Sequence, residues 1–372
     1  MINILYISHF PNLSMGGQQS MFALIKNLDK SKFKPFAIVP AEGELKERLI
    51  EIGCTVFVLP LFALKPKHLT KQIKNIFEIR KLIKKYEIDI VHPDHERDSI
   101  IAGLAKKNTK AKMVWHVRLT RKTETDKLSV FLSDGIIGIA DDVKSRFDFS
   151  KSIDTKYATI YNGVDCNKFI PFENISDLRR SKSLPLNKFI VSYVGQFKRG
   201  KGILELLSAA VIVNHQKNGG LQFLLVGREA EENFLNEING FVKNHGISDI
   251  VKILPQQNNI HTIMQASDVL VLPSHEGTEG MGRVLFESMA CGVPVIGTDV
   301  KGVREAITVD TGIVVPEKDS VRLAEAILKF FDDDDFRTKA AVNGRSRALE
   351  YFDIKNHTKK VQNYYLQILN HK

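Results

Sequence analysis

The sequence predicts an α/β protein built as two doubly wound domains in tandem, and three features carry that reading. Short apolar runs alternate with helical patterns in both halves, the signature of parallel strands covered on both faces. A polar, proline-punctuated stretch from about Asp165 to Asn187 separates the halves. Within the second half, Pro273–Ile296 (PSHEGTEGMGRVLFESMACGVPVI) reads as a glycine-rich loop and a helix between the strands Asp268–Leu272 and Val293–Gly297, a βαβ crossover with its loop at the carboxyl edge of the sheet.

The other elements follow in order. Expected strands of the first half are Ile2–Ser8, Pro35–Val39, Thr55–Leu59, Ile88–His92, Lys112–Val117, Gly135–Ala140 and Ala158–Tyr161, with helices near 17–28, 43–52, 68–86, 98–107 and 141–148. The second half adds strands at Phe189–Val194, Gln222–Val226, Ile250–Leu254 and Gly312–Val315, with helices near 201–216, 230–244, 259–266, 281–291, 301–307, 319–332 and 335–350. The expected organisation is therefore a first domain over 1–165, a hinge over 166–187, a second domain over 188–352 and a C-terminal helix over 353–372, patterned most clearly at 356–370. Two such domains leave a cleft lined by strand carboxyl ends.

Composition narrows the class. A chain of 372 residues with 43% hydrophobic and 26% charged content fits a globular protein too long for one ordinary core. Cys54, Cys166 and Cys291 match no motif spacing, which argues for a reducing, cytoplasmic setting and against a cysteine-rich zinc site. No apolar run reaches the roughly 18–20 residues of a membrane span, and MINILYISHF reads as a first strand rather than a signal peptide. Residues 1–165 hold 27 Lys+Arg against 19 Asp+Glu, so most of the net +10 lies in the first half. An anionic surface or substrate is implied there; with no zinc-finger, RNA-recognition or basic-zipper pattern and one Trp, nucleic acid is the weaker partner.

Chemistry concentrates at strand-to-helix turns. The first loop, His9-Phe10-Pro11-Asn12-Leu13-Ser14-Met15-Gly16-Gly17-Gln18, carries adjacent glycines that permit close contact with a phosphate or sugar; an ordinary glycine turn explains it equally well, and it is not a dinucleotide fingerprint. Val194-Gly195-Gln196-Phe197-Lys198-Arg199-Gly200-Lys201-Gly202 opens the second domain in the same way and offers Arg199 and Lys201 as fixed positive charge for a diphosphate. Glu279 and Glu287 are eight positions apart. If both were helical they would lie ~12 Å apart along the axis and ~80° around it, too far for a carboxylate dyad. Each is better suited to accept from hydroxyls at the two ends of an extended ligand. Glu287 sits among Leu285, Phe286, Met289 and Ala290 and needs a partner there.

With these residues in place, the chain resembles a family 4 glycosyltransferase, one of the group 1 retaining transferases with the GT-B fold of two Rossmann-like domains. Glu279 and Glu287 in GMGRVLFESMACGVPVI match the family's acid motif, Gly195 to Lys201-Gly202 its phosphate loop, and Ile160-Tyr161-Asn162-Gly163-Val164-Asp165 the end of its first domain. Thr311–Val315 and Leu323–Ile327 resemble its C-terminal stretch, so the likeness covers nearly the whole chain in order. The resemblance implies a C-terminal helix that crosses back to the first domain. It implies that Glu287 binds the ribose hydroxyls, and that Glu279 holds the donor sugar with the backbone of Gly280, Met281 and Gly282. Lys201 would stabilise the diphosphate leaving group, Gly16 and Gly17 would approach it from the first domain, and His116 would stand near the donor sugar. The plainer reading of His116 is a buried, satisfied histidine.

One departure stands out: the family's arginine after the loop glycine is Gln196 here, and Arg199 is expected to replace part of its charge. Glu276 is a competing acid, set aside because only Glu279 has the seven-residue gap to Glu287. The implied reaction is hexosyl transfer from a nucleotide diphosphate sugar, UDP-linked in first preference and GDP-linked in second, to a saccharide or lipid-linked acceptor with anomeric retention. No cofactor is expected beyond that co-substrate, and no metal, because DxD patterns are lacking at the expected site. His92, Asp94 and His95 in VHPDHE form a partial ligand set without evident completion. The basic helix pattern Lys65–Lys85, with Leu69, Ile73, Ile76, Phe77 and Ile83 on one face, fits either a sheet-covering helix with a solvated basic side or one that docks peripherally on anionic lipid. A sugar-nucleotide epimerase or hydrolase, or a non-catalytic nucleotide-sugar-binding protein, are the alternative functions.

Overall fold

The computed structural model describes residues 1–13, 15–62 and 65–370; Ser14 of the first loop, and positions 371 and 372 at the end of the expected C-terminal helix, lie outside them. The chain forms two compact units, Met1–Gly163 with Ile354–Lys372, and Val164–Asp353.

In the first unit, β1 (Ile2–Ile7), α1 (Gly16–Asn27), β2 (Phe33–Val39), α2 (Glu44–Glu51), β3 (Thr55–Val58), α3 (Leu69–Lys85), β4 (Ile90–Pro93), α4 (Glu96–Lys106), β5 (Lys112–Val117), α5 (Asp126–Leu132), β6 (Gly135–Gly138), α6 (Ile153–Lys156) and β7 (Tyr157–Thr159) alternate, with α5 and α6 additional to the expected helices. All pairings are parallel, in the order β3-β2-β1-β4-β5-β6-β7. The second unit runs α7 (Ile175–Ser181), β8 (Phe189–Phe197), α8 (Ile203–Lys217), β9 (Leu221–Glu229), α9 (Phe234–Asn244), β10 (Val251–Pro255), α10 (Ile260–Gln265), β11 (Val269–Leu272), α11 (Arg283–Ala290), β12 (Val295–Thr298), β13 (Gly312–Val315), α12 (Ser320–Asp332) and α13 (Asp334–Tyr351). Its parallel sheet has the order β10-β9-β8-β11-β12-β13. Strand order reverses at β1/β4 in one unit and β8/β11 in the other, and in such sheets ligands bind beyond the carboxyl ends at that point.

Apolar side chains facing both ways make the strands buried: Ile4–Ile7, Phe223–Val226 and Val269–Leu272 are all essentially inaccessible. The last helix, α14 (Ile354–Asn370), returns to the first unit. There Val361, Tyr364, Tyr365 and Ile368 join the core of Ile4, Tyr6, Met21 and Leu24. Asp319 and Asp333 cap α12 and α13 by accepting from the Arg322 and Phe336 amides, both at 2.9 Å.

Four expectations change. The segment expected as a hinge carries α7, and Leu178 and Leu184 pack into a core with Ile190, Leu224 and Val226. Arg179 fastens it, donating to the Ala266 carbonyl at 2.9 Å and to Asp268 at 2.7 Å. The polar surface of 166–187 masked two leucines that complete the second unit's sheet packing. Residues 301–307 form turns rather than a helix, and Asp141–Phe147 is 3₁₀ rather than α. Finally, α3 covers the sheet with Gln72, Asn75, Ile79 and Ile83, while Leu69, Ile73 and Phe77 are exposed. Because Leu178 is structural, Leu178→Ala should lower stability by roughly 2–5 kcal/mol in urea unfolding, whereas a free tether would lose nothing.

Candidate functional site

At the switch point of the second unit, two loops are bound together. The β8 loop ends in a single 3₁₀ turn, Arg199–Lys201, and Gly202 then starts α8 with φ +68°. A Cβ on Gly202 would lie 1.9 Å from the Pro273 carbonyl oxygen, so glycine is what lets this loop seat against the end of β11. His275 donates its amide to the Gly200 carbonyl at 2.9 Å, and Thr278 Oγ1 reaches the same oxygen at 2.9 Å.

That seam positions the two expected residues against each other. Lys201, nearly buried, donates from Nζ to the Thr278 carbonyl at 3.1 Å and forms an ion pair with Glu279. Glu279 Oε1 also accepts from Ser274 Oγ at 2.9 Å. Glu279 lies in the loop, since α11 begins only at Arg283, after Gly282 at φ +59°. The helical spacing between the two acids therefore does not apply. Glu287 is on α11, 5% exposed, and receives Arg283 Nε at 2.6 Å, which supplies the partner a buried carboxylate requires. Gly302, at φ +79°, supports this loop from below: a Cβ there would be 2.3 Å from the Gly280 oxygen. Met281 is buried in the same turn. Glu276, the competing acid, accepts from the Lys301 amide at 3.1 Å rather than from Lys201.

The positive charges are arranged differently from the sequence expectation. Arg199 is exposed and ion-paired with both Glu231 and Glu237, and its guanidinium lies over the Phe234 ring. Half-buried Lys198 is the second cation beside Lys201. Its pKa is lowered first by burial and then by the Lys201 charge, with Glu279 pulling the other way. Sequence reasoning passed over Lys198 because loop spacing alone cannot say which of two adjacent basic side chains turns inward. Gln196 lies near the end of β8, opposite Arg228, and its carbonyl accepts from the Tyr193 hydroxyl at 2.8 Å.

In the first unit, the switch point is lined by groups following β1, β4 and β5. Gly16 opens α1, and a Cβ on Gly17 would sit 3.2 Å from Arg118 Cδ and 3.9 Å from Asp94 Oδ2. Asp94 is buried, with Arg118 Nε at 3.6 Å, and neither carboxylate oxygen has a hydrogen-bond partner among the described residues. Burial pushes its pKa up to about 6, against the pull of Arg118, with Asp98 adding to the rise. His116 is fully buried on β5. Burial, then the Arg118 charge, holds its pKa well below the usual histidine value.

The ligand set read from VHPDHE separates. His92 is buried against His116, while His95 joins His9 and Asp98, whose ligand atoms lie within 4.8 Å of one another. The His9 and His95 rings stack at 3.7 Å and 13°, so their in-plane lone pairs run side by side instead of converging on one ion.

Two switch-point sites on two doubly wound sheets, one with a lysine and an acid pair on glycine-rich loops, define a sugar-nucleotide type of protein. The comparisons agree. The model of Glycosyl transferases group 1 matches residues 174–347 and that of Glycosyltransferase Family 4 matches residues 15–168. The chain belongs to this family of group 1 glycosyltransferases. It is 30% identical over 242 residues to the capsular polysaccharide biosynthesis glycosyltransferase CapM of Staphylococcus aureus, a match covering 61% of this chain and 60% of CapM. It is 25% identical over 386 residues to an Escherichia coli UDP-Gal:alpha-D-GlcNAc-diphosphoundecaprenol alpha-1,3-galactosyltransferase, covering 99% and 97%. A glycosyltransferase structure from Rickettsia africae ESF-5 superposes with a TM-score of 0.89 at 23% identity, covering 100% of this chain and 99% of that one, which establishes the GT-B fold.

The buried carboxyl of Asp94 gives a prediction with a defined sign. Between its ordinary value near 3.8 and about 6 the folded protein holds a proton the unfolded chain has released. Stability should therefore fall as pH rises through that window and level off above it. Asp94→Asn should raise stability at pH 7.5 by roughly 1–3 kcal/mol and by much less at pH 4, read from denaturant midpoints.

Proposed function

We propose that the protein is a hexosyltransferase that moves a sugar from a nucleotide diphosphate sugar to a hydroxyl of a saccharide or lipid-linked saccharide. The observation that carries this is the contact of Lys201 with Glu279 at the switch point, with Glu287 on the following helix. A diphosphate laid against Lys201 and Lys198 has its charge met by two compact cations. Glu279, released from Lys201, accepts from hydroxyls of the sugar, and the backbone from Gly280 to Gly282 closes on it. Glu287 accepts from the ribose. A UDP-sugar is the donor we favour, and the name of the Escherichia coli relative, which pairs UDP-Gal with a diphosphoundecaprenol acceptor, supports it.

The bond from the anomeric carbon to the phosphate oxygen breaks as positive charge develops on the sugar. Lys201 stabilises the phosphate that leaves, and the acceptor hydroxyl attacks from the same face, passing its proton to that phosphate. Retention and independence of metal belong to this reading. With lysines meeting the leaving-group charge, chelation by EDTA should leave the rate unchanged.

Lys201→Ala should weaken donor binding by about 10²-fold and Lys198→Met by about tenfold, measured by calorimetry against UDP-sugars and GDP-sugars. Arg199→Ala, already held by two acids, should bind within about threefold of the wild type. Normal affinity in Lys201→Ala rules the reading out.

We also place the protein on the cytoplasmic face of a membrane. No described helix is long and apolar enough to cross one. On α3, however, the exposed stripe of Leu69, Ile73 and Phe77 is flanked by Lys74, Arg80, Lys81 and Lys84, an apolar edge with basic sides suited to anionic lipid. Sedimentation with phosphatidylglycerol vesicles should be salt-sensitive and lost in Phe77→Ser; equal recovery without vesicles refutes it.

A further inference from the structure

The proposed donor site of the second unit is short of one kind of group. Lys198 and Lys201, the cations that would meet the diphosphate, are ammonium groups, each a point charge. Gln196 stands where the family has an arginine and carries no charge. Arg199, the expected substitute, is exposed and held by Glu231 and Glu237. The β8 loop therefore brings no forked donor to a phosphate.

The helix after β11 does. Arg283 is the first residue of α11 and follows directly on the Gly280–Gly282 turn. Glu287 lies one turn further on, and helical side chains lean back over the preceding turn, so the two meet at the N-terminal end of the helix. Arg283 donates from Nε to Glu287 Oε1 at 2.6 Å, with the two side chains 20% and 7% exposed. That bond uses one of the five N–H groups of a guanidinium.

Two ion pairs of the same construction thus flank one glycine turn, Lys201–Glu279 before it and Arg283–Glu287 after it. In each, a carboxylate suited to hydroxyls neutralises a cation suited to phosphate. A ligand with hydroxyls alone, inserted here, strands the cations. One with phosphates alone strands the acids. Leaving one member of a buried pair without its partner is strongly unfavourable. A ligand that carries sugar hydroxyls, a diphosphate and ribose hydroxyls satisfies all four groups.

We propose that Arg283 is a diphosphate-binding residue, whose guanidinium exchanges Glu287 for phosphate oxygens as the ribose hydroxyls take the carboxylate. It supplies the fork that Gln196 lacks, from the neighbouring loop of the same sheet edge. Arg283 and Glu287 then act as one selector for nucleoside diphosphates over nucleosides. The inference rests on the transferase reading of this site.

The test is the ratio of two dissociation constants, nucleoside over nucleoside diphosphate, taken for uridine with UDP and for guanosine with GDP by calorimetry and ligand-observed NMR. Arg283→Met should lower that ratio about tenfold and leave nucleoside binding within about threefold of the wild type. Because that variant leaves Glu287 buried without its partner, the comparison is repeated between Glu287→Gln and Glu287→Gln combined with Arg283→Met, where no charge is stranded. The ratio should again differ about tenfold. A ratio unchanged in either comparison overturns the inference, since a side chain that only orients Glu287 weakens nucleoside and diphosphate alike. If the wild type binds neither UDP nor GDP, the transferase reading fails and this inference with it. If it binds them with a ratio indifferent to Arg283, the reading stands and the inference fails.

Discussion

The ion pair between Lys201 and Glu279 is the interaction on which the second unit's site depends. It joins two loops that belong to non-consecutive strands, β8 and β11, at the point where the strand order reverses. Each partner is nearly buried and has a second bond to hold its direction, Lys201 to the Thr278 carbonyl and Glu279 from Ser274. A buried pair of this kind adds little net stability, because desolvation offsets the attraction. Its value is that both charges are kept in place and ready to exchange partners. An anionic ligand can take the lysine, and a hydroxyl-bearing ligand can take the glutamate.

The first unit shows the same economy with neutral and charged groups reversed. Asp94 is ionised at neutral pH in spite of burial, with Arg118 close but beyond hydrogen-bond reach. His116 is neutral and ends a chain of hydrogen bonds reaching to α14. Polar groups left without partners in a core cost free energy, and natural proteins keep them where function needs them. Their concentration after β1, β4 and β5, at a second switch point, is consistent with a binding role rather than a packing one.

Much of the fold was legible because the parallel sheets demand continuous apolar strands. Lys112–Val117 and Gly312–Val315 were read to the residue. The site loops were legible for a different reason: glycine at 202 and at 282 marks backbone that no other residue adopts easily. Three things were hidden. A short helix such as α7 buries only Leu178 and Arg179, too few to give a period. Which cation faces the ligand, Lys198 or Arg199, depends on the acids of α9 and the segment before it, remote in sequence from the loop. The His92–Tyr365 contact spans 273 positions, and nothing local announces it.

The account turns on Glu279 neutralising Lys201 until a donor arrives, and titration of UDP and GDP into the wild type and Glu279→Gln tests that most directly. Removal of the carboxylate charge frees the lysine, so the nucleoside diphosphate, which has no sugar for Glu279 to hold, should bind roughly tenfold more tightly. Equal or weaker binding of both nucleotides by Glu279→Gln would contradict it.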